Sequence, residues 1–331
     1  MKAIVCEAWG PPSSLKLVDL PTPQPGPGQV VVRTRAAAVN FPDALVVAGK
    51  YQFRPPLPFS PGGELSGEVI AVGEGVDRIA IGDKVVAIAP YGAYAQEVAV
   101  DAANVLPLPA GIDDAALEVA GSFVLTYGTS LHALKDRARV REGETLLVLG
   151  AGGGVGLAAV EIGRLLGLRV IAAASSAAKL EAARGHGADE TIDYASTDLR
   201  EQVKALTGGR GVDVVYDPVG GAFTETALRS VGWGGRHLVV GFAAGEIPKV
   251  PANLLLLKGS ALVGVFWGEF VKREPAASAA NMKQLFAWLD SGAIRPHVSR
   301  RYPLSRAPEA LDAMLAREAV GKLLVLPRQL E

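Results

Sequence analysis

The chain has 331 residues, 33 Lys and Arg against 34 Asp and Glu, and 49% hydrophobic residues. This is enough for about two domains and a substantial buried core. Near-neutral charge without a dense basic run excludes a dedicated nucleic-acid binder, and the single cysteine, Cys6, excludes an intramolecular disulfide framework or a multi-cysteine zinc site. Glycine is over-represented, with 39 residues against a usual share of roughly 7%.

The opening MKAIVCEAWG is interrupted by Glu7 and Gly10 and lacks the apolar stretch of a secretion signal. The longest apolar run, 254–267, contains Lys258 and is too short to span a bilayer. A soluble, cytoplasmic protein is expected.

The first 120 or so residues alternate short β-branched runs with Gly, Pro and Asp, which predicts strands at 30–35, 67–72, 84–89 and 95–100. Beyond residue 127 the period changes. Helices are predicted at 128–138, 155–166, 177–185, 199–206 and 223–230, interleaved with strands at 145–149, 169–174, 190–193, 212–216, 236–240 and 261–265. Such alternation predicts an α/β fold with a doubly wound parallel sheet. After residue 266 come a helix at 277–291, a strand at 298–302, a helix at 307–317 and a strand at 322–326. That segment is too small for a core of its own, so three divisions follow. Residues 1–124 form a first domain, 125–266 the sheet domain, and 267–331 a tail that completes the first.

The most specific signal is LLVLGAGGGVGLAAVEIG, where an apolar strand meets Gly150, Ala151, Gly152, Gly153 and Gly154 before a helix opens at Val155. A turn without side chains lets backbone N–H groups approach a pyrophosphate, and the helix start adds partial positive charge. A ligand-free tight turn is the competing reading, but the following helix and second strand favour dinucleotide binding. NAD sites carry an acid about 20 residues beyond the glycines. Here Ser175 and Ser176 stand at the end of that strand, followed by Lys179, with Tyr194 at the end of the next strand. Small donors and a cation suit a 2′-phosphate, so NADPH is the expected cofactor.

Together with AVNFPDALVVAGKY, PGGELSGEVIAVGEGV, GDKVVA, LTYGTSLHAL and GVDVVYDPVGG, these residues resemble the zinc-independent quinone oxidoreductases related to zeta-crystallin, within the medium-chain dehydrogenase/reductase superfamily. The resemblance covers essentially the entire chain. It implies a GroES-like β-barrel catalytic domain, a Rossmann domain with an active site in the cleft between them, and homodimers formed through the sheet edge at 261–266. Zinc-dependent members have a cysteine at the position of Asn40 and Gly-His-Glu at Gly62, Gly63 and Glu64. His132, His186, His237 and His297 show no metal-ligand spacing. No metal is expected.

The resemblance assigns Asn40 to the face of the nicotinamide and acceptor, with Asp43 nearby and Thr126 beside the nicotinamide carboxamide. For Asn40 and Asp43 the alternative is capping of a short helix; for Thr126 it is a helix N-cap. Val240, Gly241 and Phe242 are expected to line the cofactor. Phe266 and Trp267 either wall the substrate cleft or form an apolar dimer contact. Lys322 is a candidate cofactor contact, with a surface lysine as the alternative. The family's tyrosine two residues after the aspartate is Leu45 here, and a nearby arginine is Val47; Tyr51 is a candidate substitute for the missing proton donor, with a loop or packing tyrosine as the alternative.

The expected activity is NADPH-dependent hydride transfer to a quinone or small α,β-unsaturated carbonyl. An enoyl-thioester reductase and a non-catalytic NADPH-binding protein are the alternatives.

Overall fold

β-Branched and apolar runs punctuated by Gly and Pro build the first part of the chain in the computed structural model, which describes residues 1–109 and 111–330. Strands β1 (Lys2–Val5) and β2 (Lys16–Asp19) pair antiparallel. The long β3 (Gln29–Val39) leads into a short helix, α1 (Phe41–Val47), then β4 (Glu64–Val72), β5 (Lys84–Ile88), β6 (Glu97–Asp101), β7 (Val105–Pro107) and α2 (Asp114–Ala120). β3 pairs with both β4 and β6. It runs four residues past the predicted end because Ala37, Ala38 and Val39 pair with a strand nearly three hundred residues away, a contact no local pattern announces. Gly67 shows how tightly β3 and β4 approach, since a Cβ there would fall 2.1 Å from the Arg33 carbonyl oxygen. Val30, Val32, Leu65, Val69, Val85 and Tyr94 fill the interior beneath these strands.

The chain enters the second unit within α3 (Val124–Leu131), which continues into a π-helical segment, His132–Arg137. There β8 (Thr145–Leu149), α4 (Gly154–Leu165), β9 (Arg169–Ala174), α5 (Ala177–Gly185), β10 (Glu190–Asp193), α6 (Leu199–Leu206), β11 (Val212–Asp217), α7 (Ala222–Ser230), β12 (Val231–Val239), α8 (Asn253–Lys258) and β13 (Ala261–Gly264) follow in turn. All adjacent strands of this sheet are parallel, in the order β10-β9-β8-β11-β12-β13. Covered strands of a parallel sheet are expected to be apolar on both faces. Leu146, Leu147, Val148 and Leu149 are accordingly all fully buried.

Helices α9 (Trp267–Arg273) and α10 (Pro275–Asp290) close the second unit, and β14 (Val298–Pro303), α11 (Ala307–Leu315) and β15 (Lys322–Leu326) belong to the first. The units are Met1–Leu125 with Pro296–Glu331, and Thr126–Arg295. The sequence-based division at 266 is therefore displaced to 295. Side chains explain this: Asn281 of α10 accepts from Lys135 and donates to Asp136, both at 2.8 Å, and Phe270 stacks on His132 at 3.9 Å. Both contacts tie α9 and α10 to the π-helical segment. β15 pairs antiparallel with β3 and parallel with β14.

Candidate functional site

In the second unit, chain connections diverge on either side of β8 and β11, which places a topological switch point at the carboxyl end of β8, where α/β sheets receive ligands. The glycines there do separate work. Gly150 has φ +57°, a left-handed conformation that favours glycine. Gly156, on the first turn of α4, would place a Cβ 2.3 Å from the Gly150 carbonyl oxygen, so helix and strand can pack only without it. A Cβ on Gly152 would fall 2.4 Å from that of Lys179, which sets the start of α5 directly against the turn.

Gly153 is different. Its φ of −85° suits any residue, and a Cβ would meet only the Gly150 oxygen, at 3.4 Å. Nothing inside the protein requires glycine there, so the space beside it is a cradle that a side chain would fill. The first intrahelical bond of α4 is Leu157 N–H to Gly153, and by helix geometry the amides of Gly154, Val155 and Gly156 lack intrahelical acceptors. The turn therefore fits a pyrophosphate.

The other candidates in this unit also gather at the carboxyl edge. Asp193 is in register with Ala174, and Tyr194 N–H bonds the Ala174 carbonyl at 3.2 Å, bringing Tyr194 beside Ser175. Ser176 is the N-cap of α5, yet its side chain makes no capping bond. Val240 and Gly241 donate their N–H groups to the Asp217 carbonyl, and Phe242 lies against Gly220, so the loops after β11 and β12 form one wall. Phe266, which follows β13, is 56% exposed, whereas the Trp267 indole packs on Gly128.

Asp217 holds that wall, a role the sequence did not reveal. Its buried carboxylate accepts from Val219 and Gly220 N–H at 2.9 Å each, Thr224 at 2.7 Å and His237 at 3.1 Å. Burial alone would raise its pKa, but the His237 bond and the Gly220 amide hold it below the usual carboxylate value. Thr126 is buried as the third residue of α3, which corrects its reading as a helix N-cap.

The first unit carries a polar network that draws on five separated segments. Asn40, 5% exposed, follows β3 and is the N-cap of α1. Its Nδ2 donates to Glu64 Oε2 at 3.0 Å, and its Oδ1 accepts from Lys322 Nζ at 2.5 Å. Glu64 Oε1 accepts from Leu125 N–H at 2.9 Å. Asp43 Oδ2 takes the Asn40 N–H at 2.8 Å and the Tyr94 hydroxyl at 3.0 Å. The capping reading of Asp43 thus holds as a contact. Burial, only partly offset by the Asn40 amide and the Tyr94 hydroxyl, raises its pKa from 3.8 to about 6. Tyr94 is pushed well above its ordinary value by burial and the Asp43 charge, and Tyr51, half-buried, is raised by the same causes. Lys322 is buried and bonded within this network, which corrects its reading as a surface lysine.

Comparison with known proteins accords with both units. Residues 26–110 match the alcohol dehydrogenase GroES-like domain, and residues 154–287 match the zinc-binding dehydrogenase domain. Quinone oxidoreductase of Pseudomonas aeruginosa is 36% identical over 98% of this chain and 99% of its own length. The chain belongs to the quinone oxidoreductase family of the medium-chain dehydrogenases and reductases. Quinone oxidoreductase-like protein 2 of Rattus norvegicus is 35% identical over 98% of this chain and 91% of its own. Among solved structures, Escherichia coli quinone oxidoreductase complexed with NADPH superposes with a TM-score of 0.92, at 30% identity, covering 99% of this chain and all of that one. A mycobacterial protein complexed with NADPH gives 0.91 at 35% identity, with the same coverage.

The second domain's family is named for zinc, but the residues of this oxidoreductase do not fit the metal. Among the described residues no group of three or more His, Cys, Asp or Glu could hold one. At the positions where zinc-dependent relatives place Cys, His and Glu, the side chains are Asn40, none at Gly63, and a Glu64 carboxylate already shared by Asn40, Leu125 and an ammonium group.

Proposed function

We propose that the protein is an NADPH-dependent reductase of quinones or small α,β-unsaturated carbonyls. The observation that carries the cofactor reading is Gly153, a glycine that the protein's own packing does not require, at the start of a helix facing a switch point. The amides of Gly154 and Val155 would hold the pyrophosphate, and Ser175, Ser176, Lys179 and Tyr194 the 2′-phosphate ribose, with no acid at the end of β9 to repel it. Val240, Gly241 and Phe242 would border the nicotinamide half. When bound, NADPH supplies a hydride.

The chain's own contribution is to bind the acceptor and accommodate charge on its oxygen. Asn40 supplies an amide donor, and preorganised donors of this kind are worth on the order of a hundredfold in rate. Thr126 would hold the carboxamide. Asp43, with a pKa of about 6, can hold or release a proton near neutrality. Leu45, where some relatives carry a tyrosine, makes an enoyl-thioester reductase the weaker reading. The names of the relatives support a quinone-type acceptor.

Oxidation of NADPH and NADH, followed by nicotinamide absorbance against quinones, simple enones and crotonyl-thioester, tests the reading. Turnover of quinone or enone with NADPH preferred is expected. Thioester preference, or tight NADPH binding without any turnover, would overturn it. Ser175→Asp with Lys179→Ala should reverse the coenzyme preference; an unchanged ratio would remove these residues from the phosphate site.

A second copy of the chain is the proposed partner. β13 is an edge strand, and around it Leu262, Phe266, Leu256 and Trp233 are exposed at 38%, 56%, 79% and 83%. Isolated apolar side chains are ordinary, but several along one unpaired edge favour association. Sedimentation should give a dimer, and a strict monomer at micromolar concentration would refute it.

A further inference from the structure

Lys322 opens β15 with an ammonium group that is almost wholly buried, the side chain being 6% exposed. Three hydrogens meet three oxygens: Asn40 Oδ1 at 2.5 Å, the Val39 carbonyl at 3.4 Å and Glu64 Oε2 at 3.5 Å. The Asn40 amide is thereby held from both ends. Its oxygen faces a cation, and its nitrogen donates to a carboxylate. The opposite flip would set an NH2 group against the ammonium and a carbonyl oxygen against the carboxylate, both repulsive, so charge decides the orientation. With one Nδ2 hydrogen spent on Glu64, one remains.

We propose that Lys322 is a positioning residue that, with Glu64, locks the Asn40 carboxamide so that its second Nδ2 hydrogen is reserved as the donor to the acceptor oxygen. This rests on the acceptor reading given above. The lock does more than orient. A cation on Oδ1 draws electron density from the amide nitrogen and strengthens its remaining N–H as a donor, in the sense needed when negative charge develops on an acceptor oxygen. The sequence left Lys322 as a cofactor contact or a surface lysine; the structure buries it against Asn40.

Two readouts test this on the full chain: the orientation of the Asn40 amide seen by neutron crystallography, and single-turnover hydride transfer with saturating NADPH. They are applied to wild type, Lys322→Met, Asn40→Ala and the double variant. In Lys322→Met the Asn40 amide should rotate or occupy two orientations. NADPH affinity should change by less than about twofold, and transfer should fall roughly tenfold to a hundredfold, as it also should in Asn40→Ala. The double variant should be no slower than Asn40→Ala, because residues acting as one unit are not additive. An unmoved Asn40 in Lys322→Met would overturn the proposal, as would an undiminished effect of that substitution in the Asn40→Ala background. Should Lys322→Met fail to fold, Lys322→Leu, which likewise removes the donor, is read by the same criteria. If wild type reduces no quinone or enone at all, the acceptor reading fails by itself, and the orientation of Asn40 in the variants still decides whether Lys322 locks it.

Discussion

The glycine turn of the second unit and the polar network of the first solve similar problems by opposite means. The turn presents backbone amides, and its specificity lies in what is missing: a Cβ at Gly150, Gly152, Gly153 and Gly156. The network presents side chains, and its specificity lies in what is paired: Asn40, Asp43, Glu64, Tyr94 and Lys322 satisfy one another while buried. A backbone site can be written in a few consecutive letters. A side-chain network needs strands from distant parts of the chain, and it draws its strength from the low dielectric that makes any unpaired member costly.

The contrast breaks first at Gly156. Replacing it with valine sets a side chain against the Gly150 carbonyl at an impossible 2.3 Å. Overpacking against backbone that cannot yield should cost more than about 4 kcal/mol and leave the protein insoluble or unfolded by circular dichroism. A soluble, native-like Gly156→Val protein would show that the turn is far more plastic than its packing indicates.

The network responds next, through Asp43. Its pKa is raised from 3.8 to about 6, so between those values the folded protein binds more protons than the unfolded chain. Stability from this group is therefore greatest at low pH and declines as pH rises through that window, by about 3 kcal/mol in all. Asp43→Asn keeps an acceptor for the Asn40 amide and removes the titration. Relative to wild type it should gain stability between about pH 4 and pH 7, as measured by urea unfolding. A constant difference across that range would show that Asp43 titrates like an exposed carboxylate.

The smallest effect sharpens the comparison most. Gly153→Ala should fold normally, because its φ and surroundings accept a methyl group. It should still weaken NADPH binding about tenfold, near 1.4 kcal/mol, by filling space left for the ligand. Unchanged affinity with unchanged stability would leave that glycine without a function.

The second unit was legible nearly element by element. Strands 145–149, 169–174 and 190–193 coincide with β8, β9 and β10, because buried parallel strands are written as continuous apolar runs between turn residues. Legibility failed where an element depends on a remote partner. The end of β3 is set by β15, and α10 joins the second unit through Asn281, Lys135 and Asp136, about 145 residues apart. Glu64 was legible only as part of a family pattern, and Tyr94 and His237 carried no local signal of their pairing with Asp43 and Asp217.

The sequence by itself determined the doubly wound sheet and the glycine-rich turn between β8 and α4, since each depends on residue types at short spacing or on the absence of a side chain. Only the tertiary structure decided that Gly153 is spare within the fold, that burial raises the Asp43 pKa to about 6, and that Lys322 is buried against Asn40 and Glu64. Those properties arise from burial and from distances between segments far apart in the chain, where a polar group's protonation and partners are set by everything folded around it.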